Sequence, residues 1–325
     1  MVKHSIKCIL WLVALVSCSV NAQWHKDSDD VMGTRVSAEL FHADAPTAKS
    51  LLQQVMAEMH RIDAAFSPYK PDSELSLLNQ QATQGWVSVS AELLGLLQQS
   101  IKVSELTQGA FDVTFASVGR YYDYRNREAP DDAKIAQTVQ GINFRHIEID
   151  AERQQVRYAN PYVYVDLGGI AKGYAVDRGA QILTTAGVTQ ASVSAGGDSV
   201  IVGDRRGQPW TVGIKHPREA DKMAAILPLQ DTAVSTSGDY ERFFEQDGVR
   251  YHHILDPSTG RSAQGAWSVT ILGPRGILTD ALSTSVFVLG PTQGLALIDQ
   301  LPGIDAIIID PQGQLLFSAE LAELD

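Results

Sequence analysis

Residues 162–177, YVYVDLGGIAKGYAVD, change periodicity in the middle. Tyr and Val alternate as in a strand up to Asp166, two glycines follow, and the apolar spacing then becomes helical. A chain that turns from strand into helix across Gly168 and Gly169, with Lys172 in the first helical turn, has few ways to fold there. Free N–H groups and the helix dipole make such a mouth an anion site, and glycines let a phosphate approach the main chain. The same glycines also read as a tight turn that needs no ligand.

The rest of the chain mixes strands and helices without a steady βαβ alternation. VMGTRVSAELF (31–41) alternates as a strand, while residues 46–66, 91–108 and 169–186 carry apolar positions at helical spacing, the last closed by Gly187. FRHIEIDAERQQVRYANPYVYVDL reads as strand, turn and strand, and QASVSAGGDSVIVG as a strand broken by a glycine turn. PWTVGIKHP, VRYHHILD and WSVTILGP read as further strands, and ILTDALSTSVFVLG as a helix ending at Gly290. TQGLALIDQ, DAIIID and QLLFSA close the chain as helix, strand and strand. This pattern predicts an α+β fold with mixed, largely antiparallel sheets and packed helices. With no Pro- or Ser-rich linker and no internal repeat, residues 23–325 are expected to form a single bilobed domain.

The N-terminus bears on location. Lys3 and Lys7 flank the start of an apolar run from Cys8 to Val16, too short to span a bilayer as a mature helix, followed by Val20-Asn21-Ala22. That is the layout of a secretory signal peptide over residues 1–22, implying an exported, periplasmic protein. LVSC (15–18) also reads as a lipoprotein box that would leave Cys18 acylated and the protein anchored to the inner membrane. Cys8 and Cys18 are the only cysteines, so cleavage after Ala22 leaves none for disulfides, thiolate catalysis or metal binding. The formal charge then falls from −12 to −14 as two lysines leave, a balance that argues against a nucleic-acid partner.

In ILTDALSTSVFVLG, Asp280, Ser283 and Thr284 stand at i, i+3 and i+4 on one helical face, opposite Leu282, Val286 and Leu289. One carboxylate and two hydroxyls form an all-oxygen set suited to Mg²⁺ shared with a substrate's phosphates, and the same residues also read as helix caps. HHILDPSTGRS (252–262) places two histidines on a strand, where only one can face a given side, and either is a candidate general base. Tyr69 in FSPYKPDSELSLLN can stack on a planar ring or pack beside Phe66, and Asp112 in QGAFDVTFASVG is equally two-sided. Walker, dinucleotide-binding, zincin and nucleophile-elbow motifs are absent from the sequence.

MGT, FSPYKPDSELSLLN, GAFDVT, DLGGIAKGYAVD, SAGGD, STSGDYERFF, HHILDPSTGR and TDALSTSVFVLG occur in the order seen in ApbE-type FAD:protein FMN transferases, and the chain resembles that family from Met32 to Gly290. The resemblance implies Mg²⁺-dependent transfer of FMN from FAD to a Thr or Ser hydroxyl of an acceptor protein, with release of AMP. The acceptors it implies are exported subunits of Na⁺-pumping NADH:quinone oxidoreductases or Rnf-type complexes. Its FAD contacts fall on Met32, Tyr69, Ala110, Phe111, Asp112, Asp166, Lys172 and Leu255, and its metal ligands on Asp280, Ser283, Thr284 and the Gly169 carbonyl. In this reading Lys172 offsets the diphosphate charge, and His253, three residues before Asp256-Pro257, is the base with His252 on the opposite strand face. A Mg²⁺-dependent FAD pyrophosphatase and a non-catalytic periplasmic FAD-binding protein are the alternatives.

Overall fold

Eight strands lie side by side in chain order: Gln23–Val31, Thr34–His42, Ala191–Ala195, Asp198–Val202, Ala233–Gly238, Ser268–Gly273, Asp305–Ile309 and Leu315–Phe317. Every neighbouring pair is antiparallel. The fold is described by a computed structural model covering residues 22–219 and 221–323. The leader expected over residues 1–22, with Cys8 and Cys18, lies outside the described residues apart from Ala22.

Alternation along these strands sends one side chain in two to each face of the sheet. Val36, Ala38 and Leu40 join Ala191, Val193 and Ala195 in a core under the helices Ala45–Phe66 and Ala171–Thr185. Val269, Ile271, Ala306 and Ile308 pack against Leu282, Val286 and Phe287 of the helix Gly276–Ile298. On the other face, Ile201, Val234 and Leu272 are covered by Trp210 and Leu229 of a hairpin, Trp210–Lys215 with Met223–Leu229. The expected α+β, largely antiparallel architecture is therefore the observed one.

Several expectations change in detail. The acidic stretch before Val31 is itself a strand, paired residue for residue with Thr34–His42 around a Met32-Gly33 turn. It forms the outer edge of the sheet, where charged side chains are tolerated and discourage pairing with other chains. Both turn residues are left-handed, Met32 at φ 57 and Gly33 at φ 69, as a two-residue hairpin turn requires.

YVYVDL forms no strand and joins no sheet. Its alternation is real, since Val163, Val165 and Leu167 are buried, but its main-chain partners are scattered. The Asn79 amide donates to Val165 O and accepts from Val165 N, each at 2.8 Å, and Asp166 N donates to Val113 O at 2.9 Å. One buried asparagine thus replaces a neighbouring strand.

Helix Gly276–Ile298 is broken at Gly290 (φ 74), where the sequence reading ends it, and resumes through Pro291.

Candidate active site

Two helices, Ala171–Thr185 and Gly276–Ile298, meet and cap each other. Gly276 N and Ile277 N, the open donors at the start of one, bond to Asp177 of the other at 2.6 and 3.1 Å. Gly173 N, in the first turn of Ala171–Thr185, bonds to Asp280 Oδ2 at 2.8 Å. Each carboxylate satisfies helix-terminal N–H groups and sits at the favourable end of a helix dipole. The anion that this helix mouth holds is thus the chain's own Asp280.

Such close contact needs glycine. A Cβ on Gly173 would lie 2.1 Å from Gly276 O and 2.6 Å from Asp280 Cβ. Gly173→Ala should therefore force the helices apart and destabilise the fold by about 1–3 kcal/mol, the usual cost of overpacking, read as a lower denaturation midpoint.

Lys172 lies in the first turn of the same helix as Gly173. Its ammonium is paired with buried Asp198 and lies 3.4 Å from Asp280 Oδ1. Burial alone would push the lysine pKa down, but the charges of Asp198 and Asp280 outweigh it and the net direction is up. Burial, then the Asp198 charge, hold the Asp280 carboxyl above its ordinary value despite Lys172.

Ser283 and Thr284 lie on the same helix as Asp280 and meet a third hydroxyl. Ser237 Oγ is 2.8 Å from Ser283 Oγ and 3.3 Å from Thr284 Oγ1. Ser283 also donates to Asp280 O at 2.9 Å. Gly169 faces this group, since a Cβ there would be 3.4 Å from Thr284 Oγ1 and 3.2 Å from Phe111. Gly168 and Gly169 both have negative φ, so the pair serves close approach and not a left-handed turn. Asp280, Ser283, Thr284, Gly169, Lys172 and Phe111 therefore converge. The donors are carboxylate, hydroxyl and carbonyl oxygens, and Asp198 Oδ1 is buried with no hydrogen-bond partner, so these residues fit a hard divalent cation.

A second group stands beside the Met32-Gly33 turn. Arg242 Nη2 donates to Gly33 O at 3.3 Å, and Arg242 O accepts from His253 N at 3.1 Å. The Asp166 charge pushes the exposed Tyr69 phenol up, and the Arg242 charge acts on both groups in the other direction. Asp166 Oδ1 accepts from Gly168 N at 2.7 Å.

The two histidines separate in an unexpected way. His252 ends a strand and is buried, with Nε2 2.7 Å from Ala263 O and its ring edge-on to Phe287. His253 lies in the bend after that strand, not on its opposite face, because Leu255 and Asp256 turn away into a separate short ladder. Its Nδ1 is buried without a partner. Burial, followed by the charge of Arg242, pulls its pKa down to about 3, so the ring is neutral at pH 7.

Two expected FAD contacts are otherwise engaged. Asp112 Oδ1 accepts from Thr114 N and Oγ1 at 2.8 and 2.6 Å, and Oδ2 from Phe144 N at 2.7 Å, so the carboxylate staples its own loop. Leu255 is buried with Val118, Tyr122 and Ile135. Ala110, next to Phe111, is half-buried.

Asp177, Asp198, Ser237 and Arg242 were not singled out from the sequence. Asp198 follows the turn in SAGGDS, and the period of two in STSGDYERFF puts Ser237 on the same strand face as Ser235. Those signals became legible only beside Lys172 and Ser283.

Comparison with known proteins places this geometry in context. Residues 32–308 match the ApbE family. The FAD:protein FMN transferase of Treponema pallidum is 30% identical over 97% of this chain and 95% of its own. That of Vibrio cholerae is 33% identical over 90% and 92%. The crystal structure of the ApbE protein from Thermotoga maritima superposes with a TM-score of 0.85 at 35% identity, covering 93% of this chain and 99% of that one. The flavin transferase ApbE from Vibrio cholerae superposes at 0.82 and 29%, covering the same shares.

Proposed function

The chain belongs to the ApbE family and is a FAD:protein FMN transferase, and from that premise we propose that it moves FMN from FAD to a Thr or Ser hydroxyl of an acceptor protein in a Mg²⁺-dependent step, releasing AMP. The observation that carries the reading is the convergence of Asp280, Ser283 and Thr284 with Gly169 and Lys172 at one helix crossing. In this reading Asp280, Ser283, Thr284 and the Gly169 carbonyl hold Mg²⁺. A Mg²⁺ ion held there supplies charge neutralisation at the FAD diphosphate.

The acceptor hydroxyl oxygen forms a bond to the FMN-side phosphorus. The bond from that phosphorus to the bridging oxygen breaks, and AMP leaves with the electron pair. The hydroxyl proton passes to His253, whose ring is neutral at pH 7. Lys172 stays beside Asp280 and contributes positive charge near the diphosphate, while Arg242 stands beside the Met32-Gly33 turn and near Tyr69. Positioning and charge supply most of the acceleration in such reactions.

We extend the proposal to an exported enzyme, its domain spanning residues 23–325 and its acceptors being exported subunits of Na⁺-pumping NADH:quinone oxidoreductase or Rnf-type complexes. The test is to follow AMP formation from FAD with a candidate acceptor while Mg²⁺ is removed by chelation and restored. Turnover should stop and return, and AMP release indifferent to chelation would remove the Mg²⁺ assignment.

A further inference from the structure

Two buried acids near the helix crossing share one base. Asp198 is 1% exposed and Asp280 2%, and among the described residues Lys172 is the one cation paired with either. The ammonium is shared unequally, in direct contact with Asp198 Oδ2 and 3.4 Å from Asp280 Oδ1. Asp198 Oδ1 is buried and accepts nothing. A buried surplus of negative charge is costly unless something positive compensates it.

The strand order explains how Asp198 arrives there. It follows the Gly196-Gly197 turn and pairs with Ser235, two residues before the Ser237 that touches Ser283 and Thr284. Asp198 and the candidate ligand hydroxyls therefore stand on one face of the sheet.

We propose that Asp198 is a positioning residue of the cation site: it holds the Lys172 ammonium off Asp280, leaving the Asp280 carboxylate to a divalent cation that the surplus negative charge attracts. The inference rests on Asp280 being a Mg²⁺ ligand. Without the Asp198 charge the ammonium closes onto Asp280 and neutralises it. Removing the lysine as well restores the balance of one net negative charge.

The test is Mn²⁺ titration, as a stand-in for Mg²⁺, followed by EPR on the full protein saturated with FAD. Asp198→Asn should weaken Mn²⁺ binding by about tenfold or more, and Lys172→Met should tighten it by about as much. The double variant Asp198→Asn/Lys172→Met should return to within about threefold of the unaltered protein, which loss of a merely structural contact would not do. Unchanged binding in Asp198→Asn, or a double variant as weak as the single one, overturns the proposal. If Asp198→Asn does not fold, Lys172→Met decides alone, with weaker binding overturning it. An unaltered protein that binds no Mn²⁺ instead refutes the Asp280 ligand reading itself, and the proposal with it.

Discussion

Asp280→Ala is expected to lower AMP release from FAD by about 10³-fold or more, since charge stabilisation by a bound metal is worth several kcal/mol. The carboxylate is the one charged group in the proposed ligand set, and serine and threonine hydroxyls alone hold Mg²⁺ weakly. The substitution also strips the acceptor from Gly173 N and one partner from Lys172, so a loss of activity could reflect a disturbed helix crossing. Asp280→Asn separates the two effects. Its amide oxygen still accepts from Gly173 N and keeps the shape of the site, but the negative charge is gone. Both variants should lose turnover, and the asparagine variant should retain the melting temperature to within a few degrees. Undiminished AMP release in either would refute the ligand role.

His253→Ala should slow transfer by about 10²- to 10⁴-fold, the usual range for a general base, and leave FAD affinity nearly unchanged. The structure alters the pH profile expected from an ordinary histidine. Burial and the Arg242 charge pull the folded pKa down to about 3, so the imidazole is in its proton-accepting form across neutral pH. The pH profile of kcat/KM should therefore show no histidine step near 6.5, the fall that belongs to this ring lying only toward pH 3 and distinct from any fall as the raised Asp280 carboxyl takes up its proton. Arg242→Gln removes one cause of the depression and should move that fall to higher pH. His252→Ala makes the opposite forecast: its ring is spent on Ala263 O and Phe287, so the variant should melt earlier while each folded molecule still transfers flavin. Normal transfer in His253→Ala would remove it from the mechanism.

How much of this was legible in the sequence depends on what each residue answers to. Strands and helices with a clear apolar period were readable, including the break at Gly290 and the helix start at the double glycine. The edge strand Gln23–Val31 was not, because an edge of a sheet does not demand alternation and its residues are charged for that reason. YVYVDL carried true alternation yet joined no sheet, since period reports which side is buried and not who supplies the hydrogen bonds.

The metal candidates Asp280, Ser283 and Thr284 were readable as one helical face. Lys172 was readable as the cation of the helix mouth, but its carboxylate partners were not, for an electrostatic reason. A helix mouth attracts an anion, and spacing along one chain segment cannot tell a substrate's phosphate from an aspartate 108 residues away. Asp198, Ser237 and Asp177 were hidden for the same cause: each is an ordinary strand or helix residue until the fold sets it against its partner.

The central claim is that flavin leaves FAD for a protein hydroxyl and not for water. Incubating the purified protein with FAD, Mg²⁺ and a candidate acceptor, then measuring AMP and acceptor mass together, tests it most directly. Transfer predicts one AMP released for each FMN joined to the acceptor through a Thr or Ser oxygen, with the flavin retained through denaturation and absent when that residue is changed to Ala. AMP accumulating with an equal amount of free FMN, and no flavin on the acceptor, would contradict it.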